Sequence, residues 1–375
     1  MTTTTSGVGI IGCGNISRRY VDGMRRFPQL ELAGCADLVQ ELADRLAADT
    51  GIRAYAGIDE LLADPDIDIV VNITPPAAHA TVTQQALAAG KNVYVEKPIA
   101  ATVADATGML VSADREDRVL ASAPDTFLGS AGQTARAAVD AGVIGEPIGA
   151  VAFVTHSKAE TWHPDPGFLF RPGGGPALDL GPYYITALVN LLGPVAEVTG
   201  FSRIGAPVRT VTAPGARVDT IEVITPTHAG ATIRFASGAI GTLLFSFDVW
   251  DHHLPKIELY GTEGALSLPD PNEYDGPVQL KRHADADWTT LEPVLAPGGA
   301  PGEPVQYLRG HGVADLAAAL DGALLRTSAE LAFHVLEVLE AIETASSTST
   351  VVPIASRPSR PEPSTLNAKD IPAHA

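Results

Sequence analysis

Positive charge is what this chain has least of: 25 lysines and arginines stand against 44 aspartates and glutamates, a formal net charge of −19 over 375 residues. Nucleic acid and anionic membrane surfaces carry the same sign, so neither is expected as a partner, and an anionic ligand has to be met by a local device. Cysteine is almost missing as well, with only Cys13 and Cys35. Two such residues build no disulfide framework and fit a reducing compartment. No apolar run is long enough to cross a bilayer, the Thr/Ser-rich start lacks a basic leader region, and no internal repeat is visible. A cytoplasmic protein is expected.

What is present is a 45% hydrophobic content, enough over this length for two domains with real cores. The apolar strand Val8-Gly9-Ile10-Ile11 runs into Gly12-Cys13-Gly14-Asn15-Ile16-Ser17 and then a helical pattern. That is a dinucleotide fingerprint: Gly12 permits the tight turn, Gly14 lets backbone N–H groups approach a pyrophosphate, and the next helix offers its positive end to that anion. Ser17 stands where a third small residue is usual. A second strand, Leu30 to Ala36, ends in Asp37, 23 residues after Gly14. A carboxylate there accepts hydrogen bonds from a ribose and repels a 2′-phosphate, which favours NAD over NADP.

Strands and helices alternate to about residue 125, which predicts a parallel sheet. Asn72-Ile73-Thr74-Pro75 and Glu96-Lys97-Pro98 both fall just past strand ends, at the edge where open α/β sheets bind ligands. After a helix at 134–141 the pattern changes to strands in series: Ile148–His156, Val195–Ser202, Thr220–Thr225, Ala231–Ala236, Ala239–Phe247 and Ile257–Tyr260. Ser237-Gly238 reads as a two-residue hairpin turn. The expected division is a nucleotide-binding domain over 1–125, a second domain over 126–345 and a loosely held tail over 346–375, rich in Ser, Thr and Pro. The Pro/Gly-rich stretch 293–306 reads as a mobile loop.

Taken together, Gly12-x-Gly14, Asp37, Asn72-x-Thr74-Pro75, Glu96-Lys97-Pro98, Gly173-Gly174-Gly175 through Gly181, Gly261-Thr262-Glu263-Gly264 and the late helix around His334 resemble the glucose-fructose oxidoreductase / inositol dehydrogenase / rhizopine catabolism (Gfo/Idh/MocA) family over residues 7–345. The resemblance implies an N-terminal Rossmann domain joined to a C-terminal α/β domain with a large, mostly antiparallel open sheet. It further implies a sugar or cyclitol substrate between the domains, homodimers or homotetramers, and a cis Lys97-Pro98 bond. The family's catalytic segment D-x-G-x-H is here Asp179-Leu180-Gly181-Pro182-Tyr183, with tyrosine in the histidine position.

A free tyrosine with a pKa near 10 is a poor proton acceptor without a neighbouring cation. Lys97 is the expected cation, Glu96 its carboxylate neighbour, and Lys97, Asp179 and Tyr183 the expected catalytic set. Because Pro182 suits only a first helical turn, Asp179 is expected at or just before the helix start, where it could equally be an N-cap. Tyr184 is the alternative to Tyr183 as the ligand-facing ring. Gly12, Gly14, Asn15, Ile16, Asp37, Thr74, Pro75, His79, Glu96 and Lys97 are the expected cofactor residues, and Trp162, His163 and Arg171 the expected sugar contacts. Asp251-His252-His253 is not expected to hold a metal, since adjacent strand residues point to opposite faces. Three functions stay open: a dehydrogenase or reductase moving hydride to or from a sugar, sugar derivative or cyclitol carbinol; a glycoside-cleaving enzyme using transient oxidation; and a non-catalytic NAD-binding regulator.

Overall fold

The computed structural model describes residues 5–157, 159–295 and 309–364. The apolar run β1 (Ser6–Ile11) is buried at every position, as a strand covered on both faces must be. It joins β2 (Leu30–Ala36), β3 (Arg53–Ala54), β4 (Ile69–Asn72), β5 (Asn92–Val95) and β6 (Leu120–Ser122) in a parallel sheet ordered β3-β2-β1-β4-β5-β6. The order reverses between β1 and β4, whose carboxyl ends lead into Gly12 and Thr74, and ligands bind at such a crevice. Helices α1 (Ser17–Met24) and α2 (Gln40–Thr50) cover one face of this sheet. α3 (Ile58–Ala63), α4 (His79–Ala88) and α5 (Val103–Glu116) cover the other.

The chain continues through α6 (Ser130–Asp140), β7 (Pro147–Thr155), α7 (Ala159–Trp162) and α8 (Gly175–Leu192) to β8 (Val195–Arg203), the short pair β9 (Val208–Thr210) and β10 (Thr220–Glu222), β11 (His228–Phe235) and β12 (Ile240–Ser246). It closes with β13 (Ile257–Gly261), β14 (Gly264–Leu268), β15 (Gln279–Arg282), β16 (Thr289–Thr290), α9 (His311–Leu320), α10 (Ala329–Thr348) and β17 (Val352–Pro353). The second sheet runs β16-β15-β14-β13-β7-β12-β11-β8-β17, antiparallel at each pairing except β7 with β12. Its buried face, with Val198, Ile233, Leu243 and Phe245, packs on α6, α8 and α10. Alternate residues such as Thr199, Phe201, Thr232, Ile240 and Thr242 stand exposed on the other face, the period of two expected of a half-covered sheet.

Three expectations change. The β11–β12 turn is a three-residue loop, with Phe235 N–H bonding Ala239 O and Gly238 at φ +95, because a glycine in the left-handed region follows a tight turn there. The division at residue 125 is not contiguous in space, since Val313, Ala314 and Leu316 of α9 complete the core on the α1 face of the first sheet. Nor do residues 346–364 form a loose tail. α10 runs to Thr348, β17 pairs with β8, Ile354 is buried, and Arg360 Nε and Ser364 N–H bond Asn190 O and Gln133 Oε1. Residues 365–375 and most of the 293–306 stretch lie outside the described residues.

Candidate active site

Gly12, at φ +103, turns the chain at the end of β1, and a Cβ there would meet the backbone of Ile73 at 2.8 Å. Gly14 is the opposite case, because nothing lies within 4 Å of where its Cβ would be. The exposed Gly14 and Asn15 therefore form an open cradle before α1, whose N-cap residue Ile16 is free of any side-chain capping bond. Ser17 turns inward and bonds Gly14 O at 2.7 Å. At the lip, Asp37 accepts the Cys13 N–H at 2.7 Å and the Val39 N–H at 2.9 Å, which aims the carboxylate at the glycine turn. An uncapped helix N-terminus, an open cradle and a fixed acid at the end of β2 fit a dinucleotide with a free 2′-hydroxyl.

The neighbouring strand-end loops are tied together from behind. Asn72 Oδ1 accepts the Thr74 hydroxyl at 2.7 Å, which leaves Thr74 half-buried and Pro75 exposed at the crevice. His79, expected to meet the cofactor, is 1% exposed and spans Thr74 O and Pro98 O, both at 2.8 Å. It joins two loops and does not face the crevice. Glu96 is buried as well, its carboxylate taking the Tyr20 hydroxyl at 2.9 Å and, beside Lys97 as expected, the Lys97 backbone N–H at 2.7 Å. The Lys97-Pro98 peptide is cis.

The Lys97 ammonium turns the other way, donating to Asp179 O at 2.6 Å and Asp179 Oδ1 at 3.0 Å. It also lies 5.4 Å from the Tyr183 ring centre. Asp179 is neither an N-cap nor at a helix start. α8 begins at Gly175 and carries Pro182 in its interior, so the Leu178 carbonyl loses its helical N–H partner on the turn that meets Lys97. Close packing holds the unusual turn, since a Cβ on Gly181 would strike Leu339 of α10 at 2.7 Å. Tyr184 is 1% exposed, and burial, with Asp270 adding to it, pushes its hydroxyl far above the usual range. The ring beside Lys97 is Tyr183.

Burial works against the Lys97 ammonium, but Asp179, Tyr183 and Glu96 outweigh it and hold Lys97 above the ordinary lysine value. Burial likewise raises the Tyr183 phenol, against the pull of Lys97 and of a second cation, Arg309. Arg309 is 4% exposed and reaches the Tyr183 hydroxyl at 3.4 Å and Asn272 Oδ1 at 2.8 Å. Sequence reasoning missed it, because 126 residues separate Arg309 from Tyr183. His156 directly follows β7. Its imidazole is held below the ordinary value by burial, against Asp179, which acts to raise it.

Trp162, His163 and Arg171 are not drawn into this cluster. Trp162 and Phe168 flank the His163 ring, at 5.6 and 5.3 Å between centroids, and Arg171 is exposed. The segment packs instead through Leu169 and Phe170 against Val211, Ile221 and Phe247. His252 and His253 lie in a loop, not on a strand. Among the described residues no group of three or more His, Cys, Asp or Glu could hold a metal ion, and no helix is long and apolar enough to cross a membrane.

Comparison with known proteins agrees with this geometry. Residues 6–123 match the family model described as "Oxidoreductase family, NAD-binding Rossmann fold" and residues 133–267 match the "GFO/IDH/MocA C-terminal domain". A 1,5-anhydro-D-fructose reductase of Ensifer adhaerens is 34% identical over 46% of this chain and 52% of that protein. A dTDP-3,4-didehydro-2,6-dideoxy-alpha-D-glucose 3-reductase of Streptomyces violaceoruber is 34% identical over 52% of this chain and 56% of that protein. The chain thus matches about half the length of these two relatives. An NAD binding oxidoreductase from Klebsiella pneumoniae superposes with a TM-score of 0.80 at 26% identity, covering 94% of this chain and 99% of that one. With both domains matched and the glycine turn, Asp37 and the Lys97–Asp179 pair in place, the chain belongs to the Gfo/Idh/MocA family of NAD-binding oxidoreductases.

Proposed function

We propose that this protein is an NAD-dependent oxidoreductase that moves a hydride between nicotinamide C4 and a carbinol carbon of a sugar, sugar derivative or cyclitol. The observation that carries the reading is the Lys97 ammonium held on Asp179 and 5.4 Å from the centre of the buried Tyr183 ring, on the carboxyl edge of the sheet that also presents Gly14 and Asp37. Gly12, Gly14, Asn15, Ile16 and Asp37 hold the dinucleotide, and Thr74 and Pro75 shape its nicotinamide end. NAD, when bound, supplies the hydride acceptor or donor.

The protein's own part is proton handling. Lys97 and Tyr183 bind the reacting oxygen, and Asp179 fixes the direction of Lys97. Both groups keep their protons at neutral pH, because each lies above its ordinary value. That state suits donation toward a carbonyl oxygen, the proton step in reducing a keto-sugar. The two bacterial relatives are named as sugar reductases, which supports that reading. The exposed face of the second sheet is the surface we assign to a homodimer or homotetramer.

Replacing Lys97 with Ala tests the reading. kcat/KM is expected to fall by roughly 10² or more while NAD⁺ still binds, and a near-normal rate would sink the assignment.

A further inference from the structure

The Tyr183 hydroxyl meets a cation other than Lys97. The Lys97 ammonium is taken up by Asp179 at 2.6 and 3.0 Å and lies 5.4 Å from the Tyr183 ring centre, whereas Arg309 Nη2 reaches the hydroxyl oxygen itself at 3.4 Å. Asn272 Oδ1 holds the same Nη2 at 2.8 Å, and the guanidinium carbon stands 5.8 Å from the Tyr183 ring centre and 5.6 Å from that of Tyr274. The main chain enforces this placement. Arg309 N–H bonds Arg19 O of α1 at 3.3 Å, and a Cβ on Gly23 would strike Arg309 O at 1.8 Å, so the backbone is docked on the helix that follows the glycine turn. Asp125 accepts the Gly310 and Gly312 N–H groups at 3.3 and 2.8 Å and the Tyr274 hydroxyl at 2.5 Å, which fixes the entry to α9.

A guanidinium keeps its charge at any working pH. Burial works against that charge in Arg309, but Tyr183, Tyr274, Asp125 and Glu96 outweigh it. When Tyr183 gives its proton to a carbonyl oxygen, the phenol O–H bond breaks, its electron pair stays on the phenol oxygen, and an O–H bond forms on the substrate, whose carbonyl carbon takes the nicotinamide's hydride. Water returns the phenol proton afterwards. A donor already aimed at the oxygen where charge develops stabilises that change without reorganising, and its bond strengthens as the acceptor becomes an anion. The other charges around Tyr183 are Lys97 and Glu96 from the end of β5, which favour and oppose the phenolate respectively, and Asp179 of α8, which takes up Lys97. Tyr274, from the segment after β14, is held neutral by burial.

We propose that Arg309 is a positioning residue for the proton step: it holds the Tyr183 oxygen and balances the charge that develops there, while the Lys97–Asp179 pair is left to hold the reacting oxygen of the substrate. The inference rests on the oxidoreductase reading for its reaction, but the pairing is read in the free protein without turnover. Ring-fluorinated tyrosine is incorporated, and the Tyr183 fluorine signal, identified by its loss in Tyr183→Phe, is titrated by NMR. In Arg309→Gln, with folding checked by thermal midpoint, the titration midpoint should rise by about one pH unit or more, and Arg309→Lys should undo about half of that rise or more. In the parent protein, where no substitution can disturb folding, the Arg309 guanidinium nitrogen signals should move with the same midpoint as Tyr183. With a sugar or cyclitol that is turned over, oxidation by Arg309→Gln below about pH 9 should lose about tenfold or more in kcat with KM held within about twofold, and its pH profile should move upward with the fluorine midpoint. An unmoved fluorine midpoint, guanidinium signals that ignore the Tyr183 titration, or a change in KM at constant kcat would overturn the role. Midpoints that move as stated, with no nicotinamide signal from any sugar, support the Arg309–Tyr183 pairing and overturn the redox reading instead.

Discussion

Lys97 keeps its proton because Asp179 meets it twice, through a carboxylate oxygen and through a main-chain carbonyl. Tyr183 keeps its proton because burial outweighs two neighbouring cations. Sugar reduction should therefore show a kcat/KM that is flat from pH 6 to 9 and falls only above about 10, where one of the two donors is lost. Oxidation should instead rise with pH over the same range, and initial rates in both directions across pH check the sign. Tyr183→Phe should cost about 10²- to 10⁴-fold in kcat if the phenol moves the proton, with an unchanged thermal midpoint. At the other end of the crevice, Asp37→Ala should raise the affinity for NADP⁺ relative to NAD⁺ by about tenfold or more, as titration of both cofactors would show. The places of Lys97 and Asp37 just past strand ends were legible in sequence because each sits in a short local pattern. Arg309 was not, because it reaches Tyr183 only through tertiary folding, and Glu96 and His79 carried the right pattern but point inward.

At the scale of elements, sequence reasoning placed strands well where apolar residues alternate or run together, and failed where glycine and proline are held by packing. The start of α8 is the clearest case. Gly173-Gly174-Gly175, Pro176 and Pro182 look like breakers, yet α8 runs from Gly175 through Pro182, with Gly181 fitted against Leu339. A second element-scale device is the fastening of α10. His334 Nε2 accepts the Val195 N–H at 2.9 Å and Nδ1 meets Ser356 Oγ at 2.7 Å, while Ser356 Oγ donates to Glu337. Only a neutral imidazole fits that relay. Burial moreover pushes His334 down to about 4, and His311, enclosed by Phe27 and Tyr274, to about 4 as well. The unfolded chain takes up these protons first, so stability is complete above about pH 6.5 and is lost as pH falls toward 4, by roughly 3 kcal/mol for each histidine. Thermal midpoints across that window should fall in the parent protein and fall less in His334→Gln.

For the whole molecule, two sheets share their helices. α9 returns to the nucleotide domain, and α10 contributes to the core of both domains. Composition did not show this, since Ser, Thr and Pro near the C-terminus read as loose chain. The described part is instead pinned by Glu337, Asn190 and Gln133. Ending the chain at Thr350 should accordingly lower the thermal midpoint by at least a few degrees. The union of the two domains also puts Lys97 of one against Asp179 of the other, so the proposed reaction depends on their relative placement. The most direct test of that claim follows nicotinamide absorbance while purified protein and NADH are mixed with a panel of keto-sugars and keto-cyclitols, beside the Lys97→Ala variant. The predicted result is NADH consumption by the parent protein with at least one of them, reduced about 10²-fold or more in the variant. NADH that binds and is never consumed, or is consumed equally by both proteins, would contradict it.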